Sequence, residues 1–310
     1  MFILPQTPRK CKGFAKKETP MKPLFSGVAT ALITPFRDGK IDFESLDRLL
    51  SRQTEADIPA VVISGTTGES PSLTYAEYET LLRFSRAHFG GVLIAGCGAN
   101  CTDRALELAR IAAASDVDAL LAVTPYYNKA SRAGLVAHYR ALSSVGKPVI
   151  VYHVPSRTGL RLTLDDYRAL AAIDGVCGVK EASGNLSLLH DLAAEFDGRL
   201  AVWTGNDDNI RPSIRLGALG VVSVISNLLP RETAELVSSS VPLADPDATA
   251  RSLSLHRSFA PLVRSLFSEV NPIPVKYVAS LMGLCAPEYR LPLTPPSPET
   301  QRALEEIWGK

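Results

Sequence analysis

The chain has 310 residues, 46% hydrophobic and 21% charged, a composition that suits a soluble globular protein of one large domain or two ordinary ones. A net charge of +1 leaves no broad electrostatic attraction to nucleic acid or to an acidic membrane, and no apolar run reaches the roughly 18 residues needed to cross a bilayer. Five scattered cysteines, an odd number, argue for reduced thiols and a cytoplasmic location rather than a disulfide framework.

Residues 1–22 are basic, carry a single acid (Glu18) and show no hydrophobic periodicity. They read as a disordered or leader extension without the apolar core of a signal peptide. From Pro23 onward, apolar β-rich runs recur at 28–34, 60–65, 92–96, 119–123, 148–153, 176–180, 201–204 and 221–225. Several are continuously apolar, as expected of parallel strands buried on both faces. Helical patterns lie between and after them, at 43–55, 75–88, 102–114, 132–144, 164–172, 186–195, 208–216 and 230–239. Asp103 and Asp165 stand early in their helices, where the macrodipole favours negative charge.

Eight strand–helix units imply a parallel sheet, and eight is the number that closes a (β/α)8 TIM barrel. An open doubly wound sheet would want Gly-x-Gly-x-x-Gly after the first strand, where this chain has Thr34-Pro-Phe-Arg-Asp-Gly. The fold class expected is therefore α/β, with the barrel over residues 23–240. Beyond it the pattern turns to helix only, at 251–268, 273–284 and 298–308. Residues 241–310 read as a C-terminal helical region packed on the barrel.

In such a barrel the chemistry gathers where the strands end. The second expected strand runs into Gly65-Thr66-Thr67-Gly68-Glu69-Ser70, a small-residue turn whose N–H groups suit a carboxylate and which reads equally well as a helix cap. The fourth runs into Pro125-Tyr126-Tyr127-Asn128, the fifth into Tyr152-His-Val-Pro-Ser-Arg157-Thr-Gly, and the seventh into Gly205-Asn-Asp-Asp208. Arg157 offers a bidentate fork to a carboxylate. The sixth carries Lys180 within an apolar run. Burial disfavours a charged amine, and a neutral amine is a nucleophile that forms a Schiff base with a carbonyl. Taken alone, such a lysine reads more readily as one that snorkels and pairs with Glu181. Taken with the tyrosines, hydroxyls and Arg157, it equips the chain to join a 2-keto acid to an aldehyde. Cys97 and Cys101 have no second Cys/His pair beside them, so no metal is expected.

These motifs, in this order and spacing over about residues 25–295, resemble the dihydrodipicolinate synthase family of the pyruvate-dependent class I aldolase and N-acetylneuraminate lyase superfamily. Gly65-Thr-Thr-Gly-Glu, Pro125-Tyr-Tyr-Asn, Tyr152 with Val-Pro-Ser-Arg-Thr-Gly, Gly178-Val-Lys-Glu-Ala and Asn271-Pro-Ile-Pro-Val-Lys carry the resemblance. It implies condensation of pyruvate with L-aspartate 4-semialdehyde to 4-hydroxy-tetrahydrodipicolinate, in the diaminopimelate route to lysine, with no cofactor. Lys180 corresponds to the imine-forming lysine. Tyr152, Thr66 and Tyr127 correspond to a proton relay in which the last residue reaches into a neighbouring subunit. Thr67 corresponds to the pyruvate-carboxylate binder, Arg157 to the aldehyde-carboxylate binder, and Gly205 and Val222 to positions near the lysine. A homo-oligomer is implied, as a dimer of dimers. His153 stands where the family more often has Asn. Of the positions that hold the inhibitor L-lysine in regulated members, Ser70, Asn100 and Tyr126 keep polar groups, whereas Arg104 replaces a glutamate and Tyr78 a histidine. A sibling lyase or aldolase acting on sialic acid or 2-keto-3-deoxy sugar acids shares the lysine and tyrosine, and a non-catalytic sensor would share the fold. Arg157 suits a small carboxylated aldehyde better than a sugar, and the intact Lys180, Tyr152 and Thr66 set suits an enzyme better than a sensor.

Overall fold

The computed structural model describes residues 22–242 and 245–309, so the expected leader lies, but for Lys22, outside the described residues. Eight parallel strands form a closed barrel: β1 (Gly27–Ala31), β2 (Ala60–Ile63), β3 (Val92–Gly96), β4 (Ala119–Val123), β5 (Val149–His153), β6 (Val176–Glu181), β7 (Ala201–Thr204) and β8 (Gly220–Ser223). The ring closes where β1 pairs with β8, Gly27 opposite Gly220, and with β2, Ala29 opposite Ala60. Around it run α1 (Phe43–Glu55), α2 (Tyr75–His88), α3 (Thr102–Ala114), α4 (Arg132–Ser143), α5 (Leu164–Ala171), α6 (Leu186–Glu195), α7 (Ile210–Arg215) and α8 (Pro230–Ser240). The C-terminal helices α9 (Pro246–Leu266), α10 (Ile273–Leu281) and α11 (Pro298–Trp308) complete a (β/α)8 TIM barrel with a helical appendix.

The strands lack hydrophobic alternation because both of their faces are covered. Ala29, Val62, Ile94, Leu121, Ile150, Trp203 and Val222 fill the interior, while Val28, Val61, Leu93, Leu120, Val151, Val179 and Val221 meet the helices. Phe25 stacks on Trp203 with centroids 4.6 Å apart. A Cβ at position 178 would lie 2.4 Å from the Trp203 ring, so glycine is what lets the indole into the barrel. Helix starts carry local signals: Thr74 and Glu77 form a capping box for α2, Asn185 accepts from Leu188 N at α6, and Pro230 opens α8.

Several boundaries differ from expectation. β1 stops at Ala31, because Ile33 N–H is claimed by Asn227 Oδ1 at 3.0 Å and the Thr34 hydroxyl by Gly68 O at 2.7 Å. β8 stops at Ser223, because Asp207 Oδ2 accepts from Val224 N and Ile225 N and turns the chain. α7 is shortened by a 3-10 turn over Asp207–Asn209. α9 starts earlier than 251, with Asp245 capping it and Pro246 in its first turn. A hairpin of two-residue strands, Phe36–Arg37 and Lys40–Ile41, turns through Asp38 and Gly39 at φ of 52° and 75°.

The appendix is strapped to that hairpin. Lys276 on α10 donates to Glu69 Oε1 at 2.5 Å, and the two residues are 0% and 2% exposed. The ammonium stands 4.2 Å from the Phe36 ring centroid and 5.4 Å from that of Tyr289. Burial pulls Lys276 below the usual lysine range, and Glu69 pulls it partly back. Glu69 Oε2 accepts from Arg290 N at 3.2 Å, and the Arg290 guanidinium binds Glu77 and Gly39 O. Glu288 accepts from the N–H groups of Asp38 and Gly39.

Candidate active site

At the C-terminal ends of the strands lies a cavity of about 520 Å³, lined by Thr66, Thr67, Tyr152, Arg157, Lys180, Gly205 and Asn271 among others. Pairing of β5 with β6 sets Tyr152 opposite Lys180. Both side chains face the barrel axis, and the Lys180 amine stands 4.3 Å from the Tyr152 ring centroid. Lys180 is 6% exposed and Tyr152 8%. A Cβ at position 205 would sit 2.7 Å from Lys180 Cε, so Gly205 leaves the lysine its space. Gly205 N also donates to Glu181 O at 2.7 Å, which ties the end of β7 to β6.

The turn after β2 presents Thr66 and the buried Thr67. Asn271, between α9 and α10, donates from Nδ2 to Thr67 Oγ1 at 3.0 Å, and its backbone carbonyl accepts from Arg157 Nη2 at 3.2 Å. Arg157 is exposed in a short helical turn, Pro155–Thr158. One residue from the appendix therefore touches both carboxylate-binding candidates. Asp207 also lines the cavity, and burial raises its carboxyl above the usual range despite two backbone hydrogen bonds.

Behind β5 and β6 a buried carboxylate is held by hydrogen bonds. Burial alone would raise the Glu181 carboxyl, but hydrogen bonds from His153, Ser183 N and Tyr167 hold it below the usual range. Cys177 and Cys97, both buried, are pushed up to about 12 by desolvation, which leaves them inert thiols. Among the described residues no group of three or more His, Cys, Asp or Glu is disposed to hold a metal. No described helix is long and apolar enough to cross a membrane.

Six sequence-derived candidates, Lys180, Tyr152, Thr66, Thr67, Arg157 and Gly205, thus meet in one cavity. Val222 lies inside the barrel, 1% exposed, and does not line it. Tyr127 also lies outside it, 89% exposed, in a left-handed conformation with φ of 73°. Of the regulatory candidates, Ser70, Tyr78, Arg104 and Tyr126 line a second cavity of about 180 Å³. Asn100 is not in its wall; its backbone carbonyl accepts from Asn128 Nδ2 at 2.8 Å. Thr66 and Tyr152 line both cavities. Sequence reasoning did not single out Asn271 or Asp207 for the site, although both stood inside quoted motifs as polar residues next to turns.

A primary amine, a phenol, two hydroxyls and a guanidinium in one cleft can form an imine, move protons and hold carboxylates. The profile of the dihydrodipicolinate synthetase family matches residues 24–309. The 4-hydroxy-tetrahydrodipicolinate synthase of Fervidobacterium nodosum is 39% identical over 291 residues, covering 93% of this chain and 98% of its own. The crystal structure of dihydrodipicolinate synthase from Aquifex aeolicus superposes with a TM-score of 0.87 at 36% identity, over 92% of this chain and 97% of that one. The enzyme from Cyanidioschyzon merolae, crystallised with lysine bound, gives 0.86 at 32%, over 92% and 98%.

Proposed function

Since the chain belongs to the dihydrodipicolinate synthetase family, we infer that it condenses pyruvate with L-aspartate 4-semialdehyde to 4-hydroxy-tetrahydrodipicolinate. The observation that carries this reading is Lys180, buried at a strand end and facing Tyr152 across a cleft that also holds Thr66, Thr67 and Arg157.

The Lys180 amine attacks the keto carbon of pyruvate, a C–N bond forms, and the carbonyl oxygen leaves as water. The imine draws electrons from the methyl group, so a methyl proton leaves and an enamine forms. The enamine carbon bonds to the aldehyde carbon of the second substrate, whose oxygen takes up a proton. The semialdehyde's own amine then attacks the imine carbon and displaces Lys180 as the ring closes. Tyr152, above the lysine, donates and accepts these protons, with Thr66 beside it. Thr67, braced by Asn271, holds the pyruvate carboxylate, and Arg157 holds the carboxylate of the aldehyde. Val222 serves as interior packing near the lysine.

The exposure of Tyr127 supports an assembly in which that tyrosine completes a partner's relay, so we read the active form as a homo-oligomer, a dimer of dimers. Free thiols at Cys97, Cys101, Cys177 and Cys285 support a cytoplasmic location.

Borohydride reduction in the presence of pyruvate, followed by mass spectrometry, tests the centre of this reading. The adduct is expected on Lys180. An adduct on Lys276, or no adduct, overturns it. Consumption of pyruvate with aspartate semialdehyde, run beside N-acetylmannosamine, tests the substrate pair, and preference for the sugar would reject it.

A further inference from the structure

His153 follows the relay tyrosine in sequence but faces away from the barrel axis. Pairing of β5 with β6 sets Tyr152 opposite Lys180 and, one step on, His153 opposite Glu181. The reacting pair therefore sits inside the barrel, and the second pair is locked behind it, 1% and 2% exposed.

The partners of His153 fix its proton. Nε2 lies 3.1 Å from the backbone N–H of Leu162, a donor, so Nε2 accepts. A ring that accepts at Nε2 is neutral and carries its hydrogen on Nδ1. Nδ1–H therefore donates to Glu181 Oε2 at 2.8 Å. Tyr167 donates to the same oxygen at 2.6 Å, and Ser183 N donates to Oε1 at 2.7 Å.

The two ends of the imidazole reach different halves of the cleft. Glu181 is the residue after Lys180. Leu162 closes the segment that leaves β5 at Val154, carries Arg157 in its short turn and enters α5 at Leu164. Arg157 itself is exposed, and among the described residues its guanidinium has one protein hydrogen bond, to Asn271 O. The segment's far end is buried at Leu162, 5% exposed, where the ring nitrogen takes its N–H. Beyond the β5–β6 ladder itself, a single ring thus bonds the Lys180 strand to the far end of the Arg157 segment.

We propose that His153 is a positioning residue that couples the two substrate half-sites, holding the Arg157 turn in register with the Lys180 strand. The proposal rests on the assignment of pyruvate to Lys180 and of the aldehyde carboxylate to Arg157. A shorter amide at this position keeps a donor for Glu181, but its polar atoms end one bond short of Nε2 and do not reach Leu162. The turn would loosen while the lysine strand stays braced.

The test is His153→Asn in the full chain, with Arg157→Ala and the double variant completing a cycle. Borohydride trapping with pyruvate is expected to stay within about twofold of the parent, while kcat/KM for aspartate semialdehyde falls about tenfold through KM. In the Arg157→Ala background, adding His153→Asn is expected to change that ratio less than about twofold, because the same contact is already gone. Equal losses on both substrates, additive losses in the double variant, or an unchanged aldehyde KM would each overturn the proposal. If His153→Asn does not fold, His153→Gln is tested instead: its amide oxygen ends level with Nε2 and can accept from Leu162 N–H, so the aldehyde KM is expected within about twofold of the parent, and a tenfold rise would overturn the proposal. A parent protein that traps no pyruvate, or condenses no aldehyde, instead rejects the functional reading on which the proposal rests.

Discussion

Replacing Lys276 with methionine isolates the buried ion pair. Methionine matches the lysine stem in length, so little cavity is opened, and its sulfur is compatible with the Phe36 and Tyr289 rings. What is lost is the cation at 2.5 Å from Glu69, a residue 2% exposed whose other oxygen accepts, among the described residues, from the Arg290 N–H alone. Leaving a buried charge unpaired costs about 3–5 kcal/mol. For a chain of this size that lowers Tm by on the order of 10 °C. The cost also reaches the active site, because Glu69 ends the turn that carries Thr66 and Thr67 and donates its N–H to Thr66 O. As the carboxylate seeks water the turn shifts, so KM for pyruvate rises. Lys276→Met combined with Glu69→Gln removes the unpaired charge but keeps an acceptor for Arg290 N, and at least half of the lost stability should return. Thermal melting and urea titration at neutral pH, with pyruvate kinetics on each variant, give the measurement. A single variant that loses less than about 1 kcal/mol, or a double variant no better than the single, would refute the reasoning.

Four further outcomes are expected. Arg157→Ala should leave pyruvate trapping intact and cost about tenfold or more in kcat/KM for the aldehyde, since a charge-assisted bond contributes about 1.5–3 kcal/mol; loss of trapping with unchanged aldehyde dependence would contradict the role. Sedimentation should find at least a dimer, and Tyr127→Phe should slow the assembled enzyme; a fully active monomer would contradict the shared relay. L-Lysine should not inhibit at sub-millimolar concentration, because Arg104 brings only donors and a positive charge to the second cavity and Tyr78 spends its hydroxyl on Gly96 O. Inhibition restored by Arg104→Glu with Tyr78→His would support this, and half-inhibition of the parent in that range would reject it. Finally, the Arg290 hydrogen bond holds Glu77 down to about 2 from an ordinary 4.5, so its stabilisation is complete above pH 4.5 and disappears as pH falls toward 2. The Tm difference between the parent and Glu77→Gln should shrink across that interval, and parallel curves would rule the contribution out.

The barrel was legible because each strand is buried on both sides and most helices open on a side-chain cap, and β3, β4, β7, α1, α2, α3, α6 and α11 fall at the expected limits. Strand ends were less legible, since β1 and β8 are cut short by side chains that arrive from elsewhere, Asn227 and Asp207. The hairpin was missed because two-residue strands have no period, although Asp38-Gly39 is a turn signal. In the cleft, six candidates could be found because each ends or follows a strand. Asn271 could not, since a sequence separation of 204 from Thr67 leaves no local pattern. Nor does sequence alone separate the two buried lysines. Lys180 and Lys276 both sit in apolar surroundings, and only the fold gives Lys276 a carboxylate partner and Lys180 a phenol.

The wall shared by the two cavities has a thermodynamic consequence. Thr66 and Tyr152 face the Lys180 cleft on one side and the smaller cavity on the other. A molecule held in the smaller cavity would therefore press directly on side chains that also wall the cleft, with no long-range path through the barrel. Linkage then runs both ways: whatever factor such a molecule imposes on pyruvate affinity, bound pyruvate imposes on that molecule. A substitution at Thr66 or Tyr152 therefore reshapes both cavities at once.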